Sequence, residues 1–489
     1  MSGHGASGQK QPTKLQQEIQ VKTCLTLGGL LLGSVAVFLG QFQANAVPGN
    51  GDGGTASVGP DVIVGGLPDV SSYGAVVVGG QTIRAYSFGT TSCNIGTQNL
   101  TWQASPSAIH PFIPMNMYRV KDGRLEQIGM SWGKHGFCAL QQTLCGTCTP
   151  AGSGCPSALG VGCSDPYTSS LNGSQGDLGW RKEINAATAV FPGTPNSGAP
   201  SAASTIGRRL QVNQTDLAAA SNPGAIYLVE GQYIHPQDAA AGNDDNNASW
   251  RAFTVNASTY AITLTGTTKQ QQAAIAAWKT YNAAVNIVNV DVPSDGRFIA
   301  GFYSKDNGNG TWRYEYAIEN LNSDRSGQSF SVPIPAGVNV TNIGFKDVNY
   351  HSGDPYVATD WTSAVAGGAI KWECQTYAAN PTTANALRFS TMYNFWFDAD
   401  EAPSASNVPT TLGLYKPPAA GGATSISFAT QGPATPASGI IGDLDNNGAV
   451  NGADLAALLN AWGTGAADLN GDNITDGADL ALLLNNWTV

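Results

Sequence analysis

Asp443, Asp445, Asn447, Asn451 and Asp454 put side-chain oxygens at positions 1, 3, 5, 9 and 12 of a twelve-residue stretch, and the Ala449 carbonyl falls at position 7. Twenty-five residues later Asp468, Asn470, Asp472, Asp476 and Asp479 repeat the pattern around the Ile474 carbonyl. Oxygen donors at that spacing suit a hard cation with six to eight ligands, which is calcium chemistry. The spacing therefore predicts two calcium ions, one per loop. Position 6 must turn sharply with positive φ. Gly448 does so freely and Asn473 at some cost, so the second loop is expected to bind more weakly.

Each loop opens an apolar helix. Leu455, Leu458, Leu459 and Trp462 in the first match Leu480, Leu483, Leu484 and Trp487 in the second. The spacing is that of an apolar helical stripe, and the two helices are expected to pack on each other. The two 20-residue units share 11 identities, which argues for a duplicated module over a chance acidic turn. On these residues Asp443–Trp487 resembles a type I dockerin. That resemblance implies a small α-helical module of EF-hand-type loop-helix units, calcium as cofactor, and a cohesin-like or other cell-surface protein as partner. Cellulosomal dockerins often carry Ser-Thr or similar side chains just before the last ligand. This chain instead has Gly452-Ala453 and Gly477-Ala478.

The other end reads as an export signal. Lys10, Lys14 and Lys22 precede the apolar run Thr23–Gly40, and Ala44-Asn45-Ala46 is a small-x-small cleavage site. Residues 1–46 are thus expected to be a signal peptide, leaving a secreted or cell-surface chain with no membrane span. An uncleaved anchor is the alternative, since 18 apolar residues sit at the lower limit for a bilayer. Cleavage would move the net charge from −11 to −13, because three lysines and one glutamate leave. An acidic chain with scattered Lys and Arg repels phosphate backbones, which excludes nucleic acid as a partner.

Charged residues make up only 12% and glycines number 60, the look of a β-rich extracellular protein with many turns. Cys93, Cys138, Cys145, Cys148, Cys155 and Cys163 are an even six, enough for three disulfides with fifteen possible pairings. Cys145, Cys148, Cys155 and Cys163 also have spacing for a tetrahedral zinc site. Cys374 shares a strand face with Ile370 and Trp372 and reads as a buried thiol.

The organisation expected is a Gly-rich leader (47–57), a disulfide-containing β-rich domain (58–290), a β-sandwich (291–415), a Pro/Ala/Gly/Ser linker (416–440) and the repeat (441–489). Met115–Lys121, Asp122-Gly123 and Arg124–Trp132 read as a hairpin. Lys269–Asn282 reads as a helix. Trp312, Tyr314, Tyr316 and Ile318 alternate with Arg313, Glu315, Ala317 and Glu319, a strand with one buried face. Phe330, Val332 and Ile334 read as another strand, ended by Pro333 and Pro335 in a turn-like edge. About seven short strands suggest a sandwich resembling the immunoglobulin-like modules of bacterial surface proteins.

Nucleophile elbow, His-Glu-x-x-His, phosphate-loop and dinucleotide signatures are all missing from the sequence. His110, His135, His235 and His351 each neighbour Gly, Pro or Ser and are expected on loops. Asp347, His351 and Asp354 could hold a cation, as could Asp244-Asp245-Asn246-Asn247. A glycosidase would need a carboxylate pair from Glu230, Asp238, Asp244, Asp245, Glu315, Glu319 and Glu373. Glu315, Glu319 and Glu373 are expected on outward strand faces as solvated charges. Trp396 is the aromatic expected to be exposed, as a sugar-stacking surface would require. The favoured function is a non-catalytic extracellular protein with a docking module. The alternative is a dockerin-bearing glycoside hydrolase acting on polysaccharide.

Overall fold

The computed structural model describes residues 57–195, 204–348, 354–419, 421–436 and 439–488. The export segment, the leader apart from Ser57, and His351 lie outside them. The chain is mainly β, with 39% strand and 11% helix. Among the described residues no helix is long and apolar enough to cross a membrane.

An eight-stranded antiparallel sheet runs in the order Ile262–Lys269, Ala248–Val255, Ile226–Gln232, Met115–Lys121, Arg124–Met130, Leu210–Asn213, Gln81–Phe88, Val70–Val78. Its central hairpin turns at Asp122 and Gly123, with φ of 52° and 85°. Two successive positive φ values match the right-handed strand twist, which is why Asp-Gly serves here. A smaller sheet of Val62–Gly66, Thr90–Asn94 and Ser164–Tyr167 packs nearby. The six cysteines pair as Cys93–Cys145, Cys138–Cys155 and Cys148–Cys163. The four with zinc spacing are thereby held as disulfides, which removes the zinc reading. Cys374 is free and half-buried, one residue past the strand Ala369–Glu373, and burial pushes its thiol up to about 12.

Two five-stranded sheets form a sandwich around Tyr316, Phe330, Trp372, Phe395 and Phe397. The inner sheet is Asn286–Asp291, Arg297–Asp306, Trp312–Asn320, Thr391–Ala399, Val340–Lys346. The outer is Thr362–Ala366, Ala369–Glu373, Gly327–Pro333, Val408–Leu414, Ser425–Thr430. Gly327–Pro333 lies at the centre of the outer sheet and ends at Pro333, as read from the sequence. It tolerates Pro333 because pairing with Val408–Leu414 ends at Ser331. Several expectations need correction. The strand Ser425–Thr430 lies inside the segment read as linker. Its Ser-Ile-Ser-Phe-Ala-Thr alternation was hidden by Pro/Gly/Ala composition on either side. The helix read over Lys269–Asn282 spans only Ile275–Tyr281, because Lys269 pairs with Trp250 and Gln271 turns with φ 57°.

The inner sheet is covered on both faces. Its second face meets the eight-stranded sheet through Tyr118, Leu125, Trp250, Trp278, Tyr303, Ala317 and Met392. Asn394 donates to the Leu125 carbonyl at 2.8 Å, and Gln127 accepts from the Met392 N–H at 2.7 Å. The body is therefore three sheet layers deep, and the boundary drawn at 290 cuts through a paired strand.

Candidate metal centre

The helices Gly452–Asn460 and Gly477–Asn485 begin inside the acidic loops. Asn451, at loop position 9, is the N-cap, and Asp454, at position 12, closes a capping box with it. Asp476 and Asp479 do the same in the second unit. The last two side-chain donors of each loop thus also satisfy the orphan N–H groups of a helix start.

The first loop winds its backbone around its carboxylates. Asp454 Oδ1 accepts from the N–H groups of Leu444 and Asp445 at 2.8 and 3.1 Å, and Oδ2 from Asn451 at 2.9 Å. Asp443 accepts from Asn447 and Gly448 at 3.1 and 2.8 Å. The second loop repeats this scheme with Leu469, Asn470 and Asp476 on Asp479, and Asp472 and Asn473 on Asp468. Oxygens of Asp443, Asp445 and Asp454 lie within 4.8 Å of one another. Ligands about 2.4 Å from a common calcium sit no farther apart than that, so the first loop's carboxylates fit the ion. Among the described residues, the second loop does not draw three carboxylates as close.

The backbone argument for a weaker second loop does not hold. Positive φ occurs at positions 4 and 6 of both loops, with glycine and asparagine exchanged. The first has Asn446 at 57° and Gly448 at 86°, the second Gly471 at 84° and Asn473 at 70°. Each loop therefore carries one asparagine in the left-handed region.

Burial raises the Asp454 carboxyl, but N–H bonds from Asn451, Asp445 and Leu444 outweigh it and the net shift is downward. Asp479 is lowered chiefly by the Asp476 N–H. A depressed folded value contributes stability above the ordinary carboxylate value of about 3.9, lost as pH falls through the folded value. Without calcium, protection of the Leu444, Asn451, Leu469 and Asp476 amides from hydrogen exchange should hold at about pH 6 and collapse below about pH 4. A flat protection profile across that window would refute the capping role.

The helices pack as expected through Leu458 and Leu483, both fully buried, with Leu455 and Leu480 beside them. The rest of the stripe faces outward: Leu459 is 52% exposed, Trp462 47%, Leu484 51% and Trp487 39%. These pairs stand at equivalent positions of the two units.

The candidates in the body are distributed differently from their expected places. Glu315 and Glu319 are buried, not solvated, because the eight-stranded sheet covers their face. Arg124 grips Glu315 at 2.6 and 2.8 Å. Glu319 meets Glu230 in the interface between sheets, each 1% exposed. Glu373 is partly exposed beside Lys371. Burial pushes Asp238 up to about 8, and it accepts from Val62 N–H and Asn247. Asp244 accepts from Asn322, Asp245 pairs with Arg297, and Asn246 donates to Asp61, so that stretch does not converge on a cation.

His110, His135 and His235 are buried, and His135 ends the strand Gly133–His135. His110 and His135 share a hydrogen bond of 3.0 Å, while His235 caps the helix Pro236–Ala241. Burial pushes His135 and His235 down to about 3. Asp347 accepts from Asn385, whereas Asp354 lines a cavity of about 20 Å³ with Arg181, Tyr356 and Arg388, room for a single water. Trp396 is half-buried under the Arg124 guanidinium, 3.7 Å from the ring centre, and is no stacking platform. Sequence reasoning missed Asn116, Tyr118 and Arg181. The available signal was Asn116, a polar residue set between Met115 and Met117. No protein-family model matches the chain, and no curated protein matches it.

Proposed function

We propose that this is an exported, extracellular protein whose C-terminal repeat binds two calcium ions and docks on a cohesin-like or other cell-surface protein. The body is read as non-catalytic: a disulfide-stapled β region joined to an immunoglobulin-like sandwich. The observation that carries the reading is the twofold repetition in the tail. Two loops share one hydrogen-bond scheme, and two helices leave the same leucine and tryptophan uncovered. Exposed tryptophans at matching positions are what a protein partner would bury. Disulfides in a chain with an export-like N-terminus support the compartment.

The glycoside hydrolase reading needs two carboxylates on either side of an open sugar site. Glu230 and Glu319, the pair that meets, are sealed between sheets, which favours the non-catalytic reading. The test is capture. Immobilised calcium-loaded protein is incubated with the envelope and secreted fractions of the producing cell, with a chelator control and a Trp462→Ala/Trp487→Ala variant. A partner retained only with calcium and both tryptophans is the expected result. Capture indifferent to chelator and to the variant would refute docking through the repeat.

A further inference from the structure

Glu230 lies on the eight-stranded sheet and Glu319 on the inner sheet of the sandwich. Their carboxyl groups come together where the two layers meet, both within reach of one hydroxyl. Tyr118 OH reaches both, Glu230 at 3.1 Å and Glu319 at 3.3 Å. Asn116 donates to Glu230 at 2.9 Å, the Ala274 N–H to Glu230 at 2.6 Å and the Ile275 N–H to Glu319 at 3.3 Å. Arg181 is the nearby cation. It donates to the carbonyls of Met115, Ser131 and Ser390 and to Asn116, and the Asp354 charge acts on it more strongly than that of Glu230. Farther along the inner sheet's strand, Glu315 is neutralised by Arg124.

Two buried carboxyl groups gathered on one hydroxyl are held together most easily with a proton on one of them. Two ionised carboxylates in a dry interface would repel strongly. One shared proton leaves the pair a single negative charge, with the Arg181 guanidinium acting on both Glu230 and Asp354.

We propose that Glu230 and Glu319 form a proton latch: one retained proton holds the eight-stranded sheet to the sandwich, and its loss as pH rises loosens that interface. Burial, then the Glu230 charge, hold Glu319 well above the ordinary carboxylate value. The folded chain therefore keeps a proton that the unfolded chain has released. Stability from this group is complete below about pH 4.3 and declines as pH rises through the folded value.

The test is thermal unfolding of the full chain from about pH 5 to about pH 10 for the native protein, Glu319→Gln and Glu230→Gln. The amide introduced by Glu319→Gln can donate to Glu230 without a titrating proton. The native midpoint should fall with rising pH, and Glu319→Gln should flatten that slope, Asp165 and Asp238 leaving the same remainder in both proteins. The infrared difference between native protein and Glu319→Gln at neutral pH should show a protonated-carboxyl C=O band beyond the one that Asp165 and Asp238 give to both. Parallel profiles for native protein and variant, or no such band at neutral pH, would overturn the latch. If both variants fail to fold, the infrared titration decides in the Asp165→Asn/Asp238→Asn background, which removes the other carboxyls protonated near neutral pH. The band must then vanish over the same pH range in which the native midpoint falls.

Discussion

Replacing Asp443 and Asp468 together by alanine should abolish the stabilisation of the C-terminal repeat by calcium and leave the body's unfolding unchanged. Position 1 of each loop is doubly engaged. Its carboxylate would ligate the ion and already gathers two backbone N–H groups, Asn447 and Gly448 in one loop and Asp472 and Asn473 in the other. Alanine removes a charge from the ligand set and the anchor that curls the loop. Calcium at a hundredfold its dissociation constant adds about 2.7 kcal/mol per site to a module that binds it only when folded. The double variant should lose that increment at both loops, and each single variant at one. Calorimetric titration counts the ions, and hydrogen exchange of the helices Gly452–Asn460 and Gly477–Asn485 reads the ordering. The repeat has its own core in Val450, Leu458, Ala467 and Leu483, so the body should not respond. A double variant that still gains protection on adding calcium would show that the ligand assignment is wrong.

The loop-helix form of the repeat was legible in the sequence because its information is local. Acidic-residue spacing, cap residues and the helical stripe all lie within twenty residues, and a second copy checks the first. The body yielded less, because what decides its burial lies far away in the chain. The strand Trp312–Asn320 alternates as a half-exposed strand should, yet Glu315 and Glu319 are buried by partners on another sheet, Arg124 and Glu230. Ala317, small and apolar between two glutamates, was the one hint that the face is covered. Trp396 misled for the same reason, since Arg124 from the other sheet lies over it. The cysteine count gave the number of disulfides, but the pairing depends on how Thr90–Asn94 and Ser164–Tyr167 meet, which no spacing reveals.

Trp372→Ala should be the most damaging single substitution in the sandwich. The side chain is fully buried, with ring centres 5.9 Å from Phe330, 5.5 Å from Phe395 and 6.3 Å from Phe397. It fills the space between the two five-stranded sheets, where truncation of an aromatic residue costs about 3–5 kcal/mol through lost transfer and the cavity left behind. Trp372→Phe is the informative control. The indole N–H has no hydrogen-bond partner among the described residues, so phenylalanine loses volume but also removes an unsatisfied donor. Its cost should be well below that of alanine, as measured by urea unfolding. The shared layer sets how the damage spreads. Ala317, Leu321 and Met392 belong to the inner sheet or its ends, yet pack against Tyr118, Trp250 and Trp278. Opening the sandwich from its outer side removes the support behind that contact, so the body should still unfold in one transition, shifted to lower urea. Two separated transitions in Trp372→Ala, with the eight-stranded sheet persisting, would mean that the interface carrying Glu230 and Glu319 joins two independently stable units.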